Sequence, residues 1–117
     1  MKIRAFITHK KAEHFSDCQD RFSINPDTKS VAVSDGMSQS WQQKIWAQLL
    51  VNTFCSDTNW RPTLESAREL SPIWRKAVEE YIQSLRDTDA KESLIYRNER
   101  NLAEGESAGA TLVGIRF

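Results

Sequence analysis

Two runs of alternating apolar residues flank a cluster of turn-forming residues near the start of the chain. The first run contains Phe22 and Ile24, the second is Val31-Ala32-Val33, and Asn25-Pro26-Asp27 lies between them. Alternation with a period of two is typical of β-strands, and Asn, Pro and Asp favour tight turns. The pattern predicts an antiparallel hairpin, so the fold must contain a sheet at this point.

The register of this hairpin decides which residues face each other. If the strands are symmetric about the loop, with Ile24 opposite Val31, then Asp20 lies directly opposite Asp35. Directly opposed residues have Cβ atoms about 4.5–5.5 Å apart, and like charges at that distance destabilise a sheet. Side-chain parity puts both acids on the face that carries the apolar residues of the hairpin, at the end of the row. An ionised, unpaired carboxylate buried there is costly.

A divalent cation held by oxygen ligands resolves both problems. It neutralises the opposed carboxylates of Asp20 and Asp35, and Gly36 permits a sharp turn through which a backbone carbonyl joins the coordination. His9 and His14 lie in a polar stretch with no cysteine or carboxylate at ligand spacing, which favours surface histidines over metal ligands. The sequence thus suggests a carboxylate cation site at the end of the hairpin.

Two other interpretations of the acids remain open. Asp35 can cap a helix that begins near Ser38, which is a common role for Asp. Asp20 can pair with Arg21, Lys29 or another surface cation, a contact that contributes little to stability. From spacing alone, these roles are favoured over the cation site.

Elsewhere the apolar spacing predicts two further strands and three helical segments. In chain order they are a strand over Lys2 to Thr8, a helix over Ser38 to Phe54, a helix that begins at Ser71-Pro72 and reaches Leu85, a weaker helical segment around Leu94 to Leu102, and a strand within Ser107 to Phe117. The helix from Ser38 carries two neighbouring apolar stripes, so we expect it to be buried on more than one side. The order of elements predicts an α+β domain, a mixed sheet with helices laid against it.

Composition narrows the function classes. Residues 1–117 form a single domain, with a formal net charge of zero from 16 basic and 16 acidic side chains. Such a balance gives no global attraction to nucleic acid or to an anionic membrane. Cys18 and Cys55 are too few for a disulfide scaffold and lack zinc-site spacing, which favours free thiols in the cytoplasm. No apolar run is long enough for a membrane span.

Three short motifs follow one another along the chain. They are Cys18-Gln19-Asp20-Arg21-Phe22, then residues 31–40 (VAVSDGMSQS), then residues 105–112 (GESAGATL). Together they resemble the amino-terminal half of a type 2C, metal-dependent protein serine/threonine phosphatase domain in its bacterial form. The resemblance implies a partial β-sandwich with flanking α-helices, half of an α-β-β-α four-layer fold. It also implies that Asp20 and Asp35 are carboxylate ligands of Mg²⁺ or Mn²⁺ and that Gly36 adds its carbonyl oxygen, in a site that holds two ions in the complete domain.

The implied reaction is hydrolysis of phosphoserine or phosphothreonine in a phosphorylated protein, by a metal-activated water. No catalytic acid is assigned, because Met37 stands where many relatives have His, and Gln19 stands where many have Glu. The later half of the family's domain supplies further aspartates. We therefore expect a fragment or a degenerate relative that is weakly active or inactive alone, and that pairs through open sheet edges, for instance as a homodimer. The alternative is a non-catalytic protein-interaction module built on the same half-domain.

Overall fold

The computed structural model describes residues 2–6 and 18–117 of the chain. Its elements are β1 (Asp20–Asn25), β2 (Ser30–Asp35), α1 (Gln43–Ser56), α2 (Leu64–Asp87), α3 (Glu92–Ala103) and β3 (Val113–Arg116). The described strands form one sheet in the order β1-β2-β3, with both pairs antiparallel. The predicted α+β class is confirmed, but the described sheet is wholly antiparallel and not mixed.

The hairpin forms as its sequence predicts, with Ile24 opposite Val31. The side-chain oxygen of Asn25 accepts from the backbone N–H of Asp27 at 3.0 Å and from that of Thr28 at 3.4 Å, which closes the turn. The Thr28 hydroxyl then donates to a backbone carbonyl near the end of α1 at 2.5 Å. Local turn chemistry therefore fixes the register, and the turn is attached to the helix beneath it.

Helix α1 lies between the sheet and α2, which confirms the prediction of burial on more than one side. One side of α1 packs on the sheet in a cluster formed by Ala32, Val51, Phe54 and Cys55. The other side meets α2 in a second cluster, formed by Trp74, Val78 and Ile82 with Trp41, Ile45, Trp46, Leu49, Ile95, Leu102 and Ala108. The rings of Trp41 and Trp74 meet edge to face, with centroids 5.8 Å apart. The tryptophans on the helical apolar positions thus serve packing, as their spacing indicated.

The segment before α1 is not helical, although the sequence predicted a helix from Ser38. The backbone N–H of Met37 donates to the Gly109 carbonyl at 2.8 Å, and that of Trp41 donates to the Ser107 carbonyl at 3.3 Å. A helix that began at Ser38 would leave the N–H groups of its first turn without intrahelical partners. The non-helical segment instead pairs two of its N–H groups with backbone carbonyls near Gly109, so it is stabilised by the end of the chain. The helix begins only after Gln42, which adopts a left-handed conformation with φ 55°.

Helix α2 begins earlier than predicted. The sequence suggested a start at Ser71-Pro72, but Thr63 is the N-cap and forms a capping box with Ser66. The helix then runs through Pro72 without ending. The prediction was wrong because proline is also tolerated in a helix interior when packing of the flanking turns offsets the lost hydrogen bond.

The two terminal segments differ from the predicted strands. Residues 2–6 contain no strand, and the rest of the predicted strand over Lys2 to Thr8 lies outside the described residues. At the other end, β3 occupies only Val113–Arg116 of the predicted stretch. Before it, Ala110 forms an isolated antiparallel bridge with Gly36, so the chain follows β2 along a longer path than the strand itself.

Candidate functional site

The hairpin register places Asp20 directly opposite Asp35, as the sequence predicted. One residue further on, the Gly36 N–H donates to the Gln19 carbonyl at 3.3 Å. Hydrogen-bonded and non-hydrogen-bonded pairs alternate along an antiparallel ladder, so the two aspartates form a non-hydrogen-bonded pair. The Cα atoms of such a pair lie about 4.5 Å apart, the closer of the two spacings. Both carboxylates therefore leave the sheet from adjacent points on the same face.

That face is the open face of the sheet, meaning the side that faces away from α1. Besides the two aspartates it carries Phe22, Ile24, Val31, Val33, Val113 and Ile115. The prediction that the acids share a face with the apolar row is confirmed. The expectation that they are buried is wrong, since both are exposed. Helix α1 covers the opposite face, where the small side chains of Ser30, Ala32 and Ser34 allow close approach.

Exposure changes the electrostatic argument for a cation. The cost of burying an unpaired carboxylate no longer applies, and the mutual repulsion of Asp20 and Asp35 is the energy that a cation would reduce. For two charges about 5 Å apart this is about 0.8 kcal/mol in water and about 3 kcal/mol near a protein surface. Within residues 2–6 and 18–117, no group of three or more His, Cys, Asp or Glu side chains could hold a metal ion. The described site thus supplies two carboxylates.

Gly36 follows Asp35 at the end of β2, but it does not provide the sharp turn that the sequence suggested. Its φ is not in the left-handed region, where Gly105 is the glycine found among the described residues. A Cβ at Gly36 would lie 2.8 Å from the Gln43 side chain and 3.2 Å from that of Gln19. Close packing therefore explains the glycine. No described group donates to its carbonyl oxygen, so that oxygen can still serve as a ligand.

A groove of about 420 Å³ opens beside the two acids. It is lined by Ala5, Phe6, Asp20, Arg21, Phe22, Val33, Ser34, Asp35, Thr111 and Val113. Thr111 fixes its far wall: its N–H donates to the Asp35 carbonyl at 2.9 Å, and its hydroxyl accepts from the Asp35 N–H at 3.2 Å. The sequence placed Thr111 in the motif over residues 105–112 and in a predicted strand, with no sign of a contact to Asp35. Its contact with Asp35 depends on a return of the chain over more than seventy residues, which no local pattern signals.

The structure answers some of the remaining questions about the acids, the cysteines and the histidines. Asp35 does not cap α1, because the N-cap is Gln42 and has no side-chain capping bond. The Arg21 guanidinium donates to the backbone carbonyls of Cys18 at 2.9 Å and Asp20 at 2.6 Å. Cys18 and Cys55 are buried free thiols. The two histidines, at positions 9 and 14, lie outside the described residues.

Comparison with protein-family models, with curated proteins and with solved structures finds no match for this chain. Among the described residues, no helix combines the length and the apolar character needed to cross a bilayer.

Proposed function

We propose that this chain is the amino-terminal half of a metal-dependent protein serine/threonine phosphatase domain. The observation that carries the proposal is the opposition of Asp20 and Asp35 in a non-hydrogen-bonded pair of the hairpin, with Gly36 directly after. The order of short motifs along the chain supports the same assignment. Phosphoserine or phosphothreonine in a protein is the substrate class that follows from it.

The donor set fits a hard cation. Carboxylate and carbonyl oxygens are the ligands that Mg²⁺ and Mn²⁺ prefer, and the carbonyl of Gly36 accepts no hydrogen bond from a described group. Asp20, Asp35 and Gly36 would together supply three oxygen ligands to the cation. Three oxygens underfill an octahedral ion, so water would complete the shell of a single ion, and a pair of ions would need ligands from outside the described residues.

When bound, the ions lower the pKa of a coordinated water and neutralise phosphoryl oxygens. This chain's own contribution is positional. The β-ladder holds the two carboxylates at adjacent points, and Thr111 fixes the backbone of Asp35 through two hydrogen bonds. Met37, which is exposed beside the site, has no proton to donate to a leaving group.

The open apolar face supports the half-domain part of the proposal. A partial β-sandwich leaves one face of its sheet without cover, and here that face carries the acids at one end. The rest of a sandwich would pack on this face about 10 Å away. The buried, unbridged thiols of Cys18 and Cys55 are consistent with a cytoplasmic location.

Calorimetric titration with Mn²⁺ tests the metal site. We expect the chain to bind Mn²⁺ and Asp35→Ala to lose that binding, because one carboxylate cannot hold the ion. Asp27→Ala is the matched control, since it removes an exposed acid from the turn at the other end of the same hairpin. The proposal fails if the chain binds no Mn²⁺, or if Asp35→Ala and Asp27→Ala bind it equally.

A non-catalytic interaction module is the second candidate function. The observation in its favour is the exposure of large apolar side chains on the open face, which is typical of a protein-binding surface. The same titration separates the two, because an interaction module has no need of a cation. Equal Mn²⁺ responses of the wild type and Asp35→Ala would favour the module.

A further inference from the structure

The open face is more apolar than the face that α1 covers. Val33, Val113 and Ile115 on the open face are 51%, 64% and 55% exposed, whereas Ser30 and Ser34 on the covered face are 1% and 3% exposed. A sheet that is apolar on its outer side needs cover on both faces. Large apolar side chains that are contiguous and exposed mark a surface that another molecule occupies.

The charges on this face are arranged at its two ends. Asp35 is the last residue of β2, and Lys29 directly precedes the first. Lys29 is exposed and lines a groove of about 460 Å³ with Ile24 and Phe117. Six residues of strand separate the acid from the lysine by about 20 Å.

Neither charge is neutralised within the described part of the chain. Neither Asp35 nor Lys29 belongs to the ion pairs Arg75–Glu79, Arg86–Glu99 and Arg100–Glu104. The described part of this face therefore has an apolar centre, with Asp20 and Asp35 at one end and Lys29 at the other. Such a surface is complementary to a second copy of itself that is rotated by 180° about an axis perpendicular to the strands.

We infer that a second copy of this chain covers the open face. The two sheets pack face to face with their strands antiparallel across the interface, about a two-fold axis that is perpendicular to the strands. In this arrangement β2 lies over β2 of the second copy, and Asp35 of each copy meets Lys29 of the other. The inference concerns this chain by itself, because in a complete phosphatase domain the rest of the sandwich would occupy the same face.

The dimensions agree with this arrangement. Packed sheets lie about 10 Å apart, a gap that one aspartate and one extended lysine can span. The opposite orientation, with parallel strands, would bring Asp35 of one copy against Asp35 of the other, and like charges across an interface are strongly unfavourable.

The face is formed by three strands of four to six residues, so the interface is small, near the lower limit of about 1,000 Å² for a specific one. We therefore expect a reversible dimer with a dissociation constant in the micromolar range.

Sedimentation equilibrium of the chain tests whether it dimerises through the open face. The measurement runs from about 2 to about 200 µM in EDTA, so that no cation occupies the acids. We expect a concentration-dependent dimer, and we expect Ile115→Asp to be monomeric throughout. Because Ile115 is exposed, this variant should keep the circular dichroism spectrum of the wild type. A wild-type monomer at the highest concentration, or a dimer that survives Ile115→Asp, would overturn the inference.

Charge exchange tests the orientation. Asp35→Lys and Lys29→Asp should each weaken the dimer about tenfold, because each creates two like-charge contacts per dimer. The double variant should recover to within about threefold of the wild type, since the pairs are restored in reverse. Aspartate tolerates the left-handed backbone of residue 29, where φ is 51°. Lys76→Asp, an exposed charge change on α2, is the matched control and should have no effect. A double variant weaker than both single variants would contradict the antiparallel arrangement.

Discussion

Gly114 in β3 is the position where one added methyl group should do the most damage. A Cβ at this residue would lie within 3.0 Å of three ring atoms of Phe54. The ring is held in place: Phe54 is buried, and the guanidinium of Arg116 lies over it at 3.9 Å from the centroid. Gly114→Ala must therefore shift either α1 or β3.

The expected magnitude combines two opposing effects. Overpacking of a rigid contact typically costs about 1–3 kcal/mol, and three short contacts on one ring put this site near the upper limit. Replacing glycine by alanine also restricts the unfolded chain, which returns about 0.4–1 kcal/mol. We expect Gly114→Ala to lower the free energy of unfolding by about 2 kcal/mol.

Urea unfolding followed by tryptophan fluorescence measures this change, since the chain has four tryptophans. Gly109→Ala is the matched control. Its Cβ also meets a neighbour, but that neighbour is the sulfur of Met37, which is exposed and can move. In a Phe54→Leu background the ring is gone, and the cost of Gly114→Ala should fall below about 1 kcal/mol. A neutral Gly114→Ala, or an equal cost in both backgrounds, would refute the steric explanation.

Two further substitutions should change stability in opposite directions. Arg116→Met should destabilise the fold by about 2 kcal/mol in the same urea assay, because it removes hydrogen bonds at 2.9–3.0 Å to three backbone carbonyls near the end of α1. The Nε of Arg116 is buried without a partner among the described residues, so its removal offsets part of the lost stability. A decrease in the free energy of unfolding below about 0.5 kcal/mol would contradict this expectation. Pro72→Ala should raise the midpoint of thermal unfolding by several degrees, since proline inside a helix costs about 3 kcal/mol relative to alanine, and an unchanged midpoint would mean that α2 is adapted to the proline.

The features that the sequence predicted are those that local chemistry decides. The hairpin register follows from Asn25 and the short turn after it, so the opposition of Asp20 and Asp35 could be predicted from the sequence. The burial of α1 on two sides follows from its two apolar stripes. The capping box at Thr63 was also local, but its partner is Ser66 where the usual pattern has Glu or Gln, and Pro72 offered a stronger signal.

The features that the sequence did not predict depend on which surfaces meet. Judged by hydrophobicity, the face with Phe22, Ile24, Val31 and Val33 should be the covered one. Helix α1 instead packs on the face with Ala32, because small side chains let the helix come close enough to insert its own large ones. Alternation identifies the two faces of a strand, but it does not decide which of them a helix covers.

Asp35 has two proposed partners, a divalent cation and Lys29 of a second copy, and it cannot satisfy both equally. A cation between Asp20 and Asp35 would neutralise the acidic end of the face and remove its attraction for the lysine. Linkage then requires that Mn²⁺ weaken the dimer and that dimer formation weaken Mn²⁺ binding by the same factor. Sedimentation with and without Mn²⁺ measures that factor, which we expect to be about threefold, less than for a charge reversal, because a neutralised acid does not repel the lysine. If Mn²⁺ binds with no effect on the dimer, Asp35 does not meet Lys29. If Mn²⁺ strengthens the dimer, the acidic ends of the two copies lie together, and the strands run parallel across the interface.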